Sequence, residues 1–438
     1  MTIARRPEPS RTGGVPRVID DTGHAGMTER GEQGMDTKIR IHRQPKTLIT
    51  GNGSVSRIGD EARKLGATRV CIITDPGVAC AGNVDDVERP LRNAGLEVGV
   101  YGKAVPEPPM SSIHEGVEFA EKGGYDLIVG FGGGSAIDVA KITSVLPHSG
   151  KTVEDLVGID KVPRKGLPLI AVPTTAGTGS EATAVAIFSN EKLNVKQGVV
   201  SPHLIPNIGL IDPVLTYSCP AGVTAAAGMD ALIHNIEAYI SVNATMHTDP
   251  LAYEGIKLIS KSIRTAVYDG QNAWARHNMA IGSLLGGIAF GNAGVGAVHA
   301  LSYPIGGTFH VPHGVANTLM LPWVMEYNML ACLQWFNEIG EAMGERLEGL
   351  SLREGAEKTL AALRQLAVDL EVPLYLSDVG IPASAVEDLA DGAMTQTRLL
   401  GNNPRRLTRE DVVRIYTNAA VRPGSTPVEK KAAAAIAG

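Results

Sequence analysis

The stretch "YDLIVGFGGGSAIDVAK", Tyr125–Lys141, decides the fold. Its first half is a short apolar run of the kind that forms a buried strand. Gly132, Gly133 and Gly134 then make a turn, and "SAIDVAK" reads as the start of a helix. The pattern repeats on both sides. "TRVCIITD" (68–75), "LEVGVYG" (96–102) and "LPLIAVPTT" (167–175) predict strands. "DVERPLRNAG" (86–95) and "SSIHEGVEFAEKGG" (111–124) predict helices, each closed by glycine. Strands alternating with helices imply an α/β layer around a parallel, buried sheet.

After "LIDPVLTYSCP" (210–220) β-branched runs disappear and Ala-rich helical periodicity takes over. At 438 residues the chain is too long for one ordinary core. The expected organisation is an N-terminal extension over 1–36, an α/β domain over 37–215 and an all-α domain over 216–438. The extension is rich in Pro, Gly, Arg and Asp and is expected to be disordered, with Met27 and Met35 as alternative starts. "LTRED" (407–411) predicts a late helix start capped by Thr408, and the final "KKAAAAIAG" is expected to fray.

Composition narrows the function. A net charge of −6 without blocks of one sign, and 4% aromatics, argue against nucleic acid or an anionic membrane as partner. The four cysteines, Cys71, Cys80, Cys219 and Cys332, show neither C-x-x-C spacing nor disulfide density, so a reducing cytoplasmic compartment is expected. The run 281–309 is long and apolar. It carries Asn292, His299, a proline and many glycines, so it reads as buried core and not as a membrane span.

The glycine turn carries chemistry as well as shape. Glycines after a strand let the backbone approach a pyrophosphate, and Ser135 stands at the helix start, where N–H groups and the dipole favour an anion. The spacing departs from G-x-G-x-x-G, so a turn without a ligand is the competing reading. A second polar loop, "TTAGTGSEAT" (174–183), follows the next strand and offers Thr174, Thr175, Thr178 and Ser180. In a doubly wound sheet both loops gather at the carboxyl ends of the strands, where nucleotides bind. Asp75 closes another strand. A carboxylate there suits ribose hydroxyls and repels a 2′-phosphate, which favours NAD over NADP.

The helical half poses a different question. In "GMDALIHNIEAY" (228–239), Asp230 and His234 are four residues apart and share a helix face that should be apolar. Burying both without partners would cost several kcal/mol, and a cation ligated by both removes that cost. A buried hydrogen-bonded pair is the competing reading. "AVHALSYPIGGTFHVPHGVAN" (297–317) adds His299, with His310 or His313 as a fourth donor. One carboxylate and three imidazoles suit Fe²⁺, Zn²⁺, Ni²⁺ or Co²⁺.

These segments together resemble the iron-containing (group III) alcohol dehydrogenases, over about residues 40 to 420. The resemblance is carried by "GFGGGSAIDVAK", "PTTAGTGSEAT", "GMDALIHNIEAYIS" and "GAVHALSYPIGGTFHVPHGVAN", flanked by "ITGNGSVSRIG" and "NNPRRLTREDV". It implies a Rossmann-like N-terminal domain, a helical C-terminal domain and an active site in the cleft between them. It places the metal ligands on Asp230, His234, His299 and His313, and so selects His313 over His310. It places the NAD contacts on Asp75, Gly133, Gly134, Ser135, Asp138, Thr174, Thr175, Thr178, Ser180 and Lys196. The metal it implies is Fe²⁺, with Zn²⁺ as the alternative.

Many alcohol-oxidising members carry a histidine four residues past the third ligand. Tyr303 stands there in this chain and is the candidate catalytic side chain. The reaction implied is hydride exchange between NAD(H) and an alcohol–aldehyde or ketone pair, with the metal as Lewis acid on the substrate oxygen. A homodimer or larger homo-oligomer is expected. Three other readings compete: a lyase like dehydroquinate synthase, a reductase like maleylacetate reductase, and a metal-dependent hydrolase. Members related to maleylacetate reductase often lose part of the metal set, which is complete here. A hydrolase has no need of the two nucleotide loops.

Overall fold

Parallel strands buried on both faces are apolar at nearly every position, and the central strands of this chain follow that rule. The computed structural model describes residues 39–422, except 81, 148 and 191–194. The expectations for residues 1–36 and for the final "KKAAAAIAG" lie outside the described residues. The strands are β1 (Thr47–Thr50), β2 (Arg69–Ile73), β3 (Glu97–Tyr101), β4 (Leu127–Gly132), β5 (Gly158–Ile159), β6 (Leu169–Pro173), β7 (Val185–Asn190), β8 (Val195–Val200) and β9 (Ile208–Ile211).

Six of them form one all-parallel sheet in the order β1-β9-β6-β4-β2-β3. Alternation along each strand sends side chains to two separate cores. Val70, Ile72, Leu127 and Val129 pack on one face with the helices at 58–64 and 84–93. Cys71, Ile73 and Ile128 pack on the other with the helices at 110–123 and 134–145. β3 lies on one side of β2, whereas β4 and the strands after it continue on the other. The winding therefore reverses between β2 and β4. A crevice opens at the carboxyl ends of strands at such a point. Asp75 and Gly132–Gly134 stand at those two ends.

A feature the sequence reading did not anticipate is a second sheet, β5-β8-β7, with β7 and β8 antiparallel. Both strands of this hairpin are only partly buried; β7 carries the short apolar run Val185–Phe188, whereas Lys196, Gln197 and Gly198 break the pattern of β8.

Beyond β9 the described chain is helical. The Ala221–Ile240 helix is buried from Gly228 to Ile240 and sits at the centre of the largest core. The helices Asp249–Tyr268 and Ala273–Ala293 pack against it, with Gly255, Gly282 and Gly286 closing around the buried Asn235. Thr408 and Asp411 form the capping box expected of "LTRED" and begin the helix Arg409–Ala420. Among the described residues no single helix is long and apolar enough to cross a membrane. The apolar run 281–309 is split between two helices bent by 102°, and most of its residues are buried.

Candidate active site

The site is built where the carboxyl edge of the sheet meets the helices. The turn after β4 starts the helix Gly134–Val145, whose first-turn N–H groups are free to meet an anion. Gly132 has φ +149°, and a Cβ there would lie 2.8 Å from Asp75 Oδ2. A Cβ on Gly134 would lie 2.7 Å from the Thr178 methyl group. The two polar loops are thus in direct contact, and Gly133 faces Thr175 in the same way.

The second loop also reaches the helices. Gly179, at φ +58°, meets the backbone of Gly287 so closely that a Cβ on Gly179 would lie 2.4 Å from its Cα. The carbonyl of Gly177 lies 3.3 Å from His234 Nδ1.

Four donors converge on the helical side. Asp230 and His234 come from the Ala221–Ile240 helix, His299 from Ala297–Phe309, and His313 is the first residue of His313–Met329. His299 Nε2 lies 3.1 Å from His234 Nε2 and 3.7 Å from Asp230 Oδ1, and His313 Nε2 lies 3.9 Å from the same oxygen. Donors about 2.1 Å from one ion stand about 3–4 Å apart; one ligand atom each of Asp230, His299 and His313 lies within 4.8 Å of the others, and His234 joins the group through His299. His310 caps the preceding helix in the left-handed region at φ 55°.

The protonation states agree with a cation site. Burial lowers His234 to about 4, and enclosure lowers His313 as well, so both rings are neutral and offer lone pairs near pH 7. Burial alone would raise Asp230, but His234, His313, His299 and Asn317 hold it below its ordinary value as a carboxylate. Burial likewise works against a charged His299, and Glu237 beside it reverses the sign and raises it. Asn317 Nδ2 lies 2.7 Å from Asp230 Oδ1 and 3.1 Å from Nε2 of His299 and of His313. Its Oδ1 is buried without a hydrogen-bond partner. A cluster of lone pairs that draws in the nearest N–H group is one that suits a positive ion.

Three residues here escaped the sequence reading. Glu237 Oε2 lies 2.5 Å from His299 Nδ1, and its Oε1 accepts the N–H of Val298 at 2.7 Å. It is seven residues after Asp230, on the same helix face, and that spacing was available in the quoted stretch. Asn317 follows His313 by four residues, an equally readable signal. Glu107, which pairs with Lys196 at 2.6 Å, gave none, because the contact is long-range.

A cavity of about 460 Å³ joins the two halves. All four metal candidates line it, with Tyr303, Gly134, Ser135, Asp138, Thr178, Ser180 and Lys196. Asp75, Gly133, Thr174 and Thr175 lie beyond its lining, around the turn described above. Two expected cofactor contacts turn toward each other: Asp138 Oδ1 accepts from Ser180 Oγ at 2.6 Å, while Asp138 Oδ2 accepts from the N–H of Ile187. The fully buried Lys141 ammonium donates to Ser180, Thr183 and the carbonyl of Val185, tying the loop to the helix. Tyr303 lies with its ring centroid 6.0 Å from that of His313, and burial raises its phenol to about 12. Phe290 stacks on His234 at 4.2 Å.

Comparison with known proteins agrees with this geometry. The family described as iron-containing alcohol dehydrogenase matches residues 45–213, and its C-terminal part matches 224–420. The chain is 43% identical to long-chain-alcohol dehydrogenase 1 of Geobacillus thermodenitrificans, over 86% of this chain and 95% of that protein. It is 35% identical to the NAD-dependent methanol dehydrogenase of Bacillus methanolicus, over 86% and 98% respectively. The solved alcohol dehydrogenase of Oenococcus oeni superposes with a TM-score of 0.85 at 37% identity, covering 87% of this chain and all of that one. The lyase and maleylacetate-reductase readings are not favoured by these matches. The chain belongs to the iron-containing alcohol dehydrogenase family.

Proposed function

We propose that this chain interconverts an alcohol and its aldehyde or ketone with NAD(H), using one divalent cation, Fe²⁺ in preference to Zn²⁺. One observation carries the reading: Asp230, His299 and His313 offer ligand atoms within 4.8 Å of one another, with His234 Nε2 3.1 Å from His299 Nε2, in a cavity whose opposite wall is formed by the glycine and threonine turns. The names of its relatives, a long-chain-alcohol dehydrogenase and an NAD-dependent methanol dehydrogenase, support the reaction class.

When bound, the cation supplies Lewis acidity toward the substrate oxygen, and the nicotinamide accepts or supplies the hydride. The chain's own residues do the rest. Asp230, His234, His299 and His313 hold the cation, and Glu237 and the Gly177 carbonyl fix the ring orientations of His299 and His234. Gly133, Gly134 and Ser135 receive the pyrophosphate at a helix start. Thr178 and Lys196 line the path from there toward the cation, and Thr174 and Thr175 flank the glycine turn. Asp75 takes the ribose hydroxyls and selects NAD over NADP. Val185, Ile187 and Phe290 exclude water from the cavity. Tyr303, protonated throughout the working range, donates a hydrogen bond to substrate and does not accept a proton.

The same reading divides the chain at 215/216, between the end of β9 and the helix that starts at Ala221. It also includes a homo-oligomeric, cytoplasmic enzyme, in keeping with the absence of any disulfide among the described cysteines. The test is formation of NADH from primary alcohols by Fe²⁺-loaded, Zn²⁺-loaded and metal-free protein. Turnover in the loaded forms alone, with NAD and not NADP, is the expected result. Equal turnover without metal would falsify the reading.

A further inference from the structure

Glu107 stands in the turn "VPEPPM" (105–110), between Pro106 and Pro108, with φ at +50°. A residue before proline ordinarily prefers an extended backbone. A non-glycine residue held in the left-handed region is uncommon, and such residues gather at ligand-binding sites. The turn is also held from outside: the N–H of Ser189, on β7, donates to the carbonyl of Pro108 at 2.9 Å.

This conformation gives Glu107 two contacts. Its N–H donates to Ser135 Oγ at 3.2 Å. The Ser135 hydroxyl accepts there and keeps its own proton for a phosphate oxygen at the helix start. The Glu107 carboxylate meets the ammonium of Lys196 at 2.6 Å. Lys196 comes from β8, and a Cβ on Gly306 would lie 3.0 Å from its Nζ, so its tip rests against the helix that carries His299. The pair therefore runs from the pyrophosphate turn to the helix of a cation ligand, along the cavity that both residues line.

Charge decides what this arrangement does. A dinucleotide brings a doubly negative pyrophosphate to Ser135. Lys196 without a partner would add its attraction to that of the helix start. Glu107 without a partner would repel. Paired, the two cancel, and with the lysine side chain only 11% exposed and the glutamate 32%, salt screens them less than it screens surface ions. Where product release limits turnover, a cofactor held too tightly slows the enzyme.

Building on the dehydrogenase reading, we propose that Glu107 is a cofactor-release residue: its carboxylate cancels the charge of Lys196 beside the pyrophosphate turn and keeps NADH from binding too tightly to leave.

The test is the Kd for NADH, from quenching of intrinsic fluorescence, with the NADH dissociation rate from stopped flow. Both are measured on metal-loaded wild type, Glu107→Gln, Lys196→Met and the double variant. Glu107→Gln keeps the shape of the side chain and leaves Lys196 unbalanced. It lowers the Kd about tenfold, the effect of one charged contact, and slows dissociation by a similar factor. Lys196→Met leaves Glu107 unbalanced and raises the Kd, and the double variant returns toward wild type. Added salt shrinks these differences. A Kd in Glu107→Gln at or above the wild-type value, with urea midpoint and metal content unchanged, overturns the role of Glu107 and leaves the dehydrogenase reading intact. If Glu107→Gln is itself destabilised, the double variant against Lys196→Met carries the same test: loss of the carboxylate must lower the Kd there too, and a Kd that stays or rises overturns the proposal. NADH binding absent from wild type overturns the NAD reading and this one with it.

Discussion

Glu237 Oε2 lies 2.5 Å from His299 Nδ1, two helical turns from the Asp230 carboxylate on the same helix. The pairing directs Nε2 of His299 toward the other donors, and the second Glu237 oxygen is held by the N–H of Val298. A carboxylate behind a metal-binding imidazole fixes the ring and strengthens it as a ligand. Glu237→Gln is therefore predicted to weaken metal affinity about 10- to 100-fold. Competition of the apoprotein with a coloured chelator for Zn²⁺ measures this without reference to turnover, and an unchanged affinity would contradict it.

Gly134 is predicted to be a cofactor residue by virtue of what it lacks. A Cβ there meets the methyl, hydroxyl and Cβ of Thr178 at 2.7–3.1 Å, and turning the Thr178 side chain leaves the Cβ contact in place. Gly134→Ala should raise the Kd for NADH by tenfold or more while leaving metal content at the wild-type value. Quenching of intrinsic fluorescence by NADH, with metal analysis of the same sample, separates the two.

Lys141 carries its charge with no solvent exposure, held by Ser180, Thr183 and Val185 and facing Asp138. Removing one partner of a buried ion pair strands the other, at a cost of about 3–5 kcal/mol. Lys141→Met should lower stability by that order in urea unfolding. A double variant that also carries Asp138→Asn should recover part of it, because the carboxylate that faces Lys141 is then neutral, while the buried Glu181 still lacks its cation.

The acid behaviour of the metal-free protein follows from its histidines. Burial holds His234 at about 4, and His313 is lowered too. Both take up protons more readily when unfolded, where the value is about 6.5, so their contribution to stability shrinks as pH falls below that value. His299 is raised, and its contribution has the opposite sense, full at low pH and lost as pH rises through its folded value. The buried Glu181, raised to about 7, also gains stability as pH falls, so the contribution of His234 is read by difference: the change in urea midpoint of apoprotein between pH 7.5 and pH 5 should be less destabilising in His234→Gln than in wild type.

Tyr303 gives a kinetic prediction. A phenol held near 12 does not change charge between pH 6 and 10. Tyr303→Phe should lower kcat/KM for alcohol oxidation and leave the inflections of its pH profile in place. A profile that loses its basic limb in the variant would make Tyr303 a proton acceptor after all.

Much of this architecture can be read from the residues because local rules and tertiary placement agree. The apolar strands β2, β4 and β6 are buried on both faces, so no alternation obscures them. Asp230 and His234 are conspicuous because a polar pair interrupts a helix that is buried all round. The β7–β8 hairpin was less visible, since Lys196, Gln197 and Gly198 break the pattern of β8 and leave the short run Val185–Phe188 without an evident partner strand. Glu237 lay in plain view on the ligand helix but reads as an ordinary helix-forming glutamate until its burial is known. The Glu107–Lys196 pair joins segments far apart in sequence, and only the folded chain brings them together.

The most direct test is stepwise addition of Fe²⁺ to anaerobic apoprotein, with the rate of NADH formation from a saturating alcohol plotted against iron bound. The account predicts a rate that rises in proportion to iron and levels off at one ion per chain, and no rise when His299 is replaced by alanine. Turnover before any iron is added, or a rate indifferent to the iron bound, would contradict it.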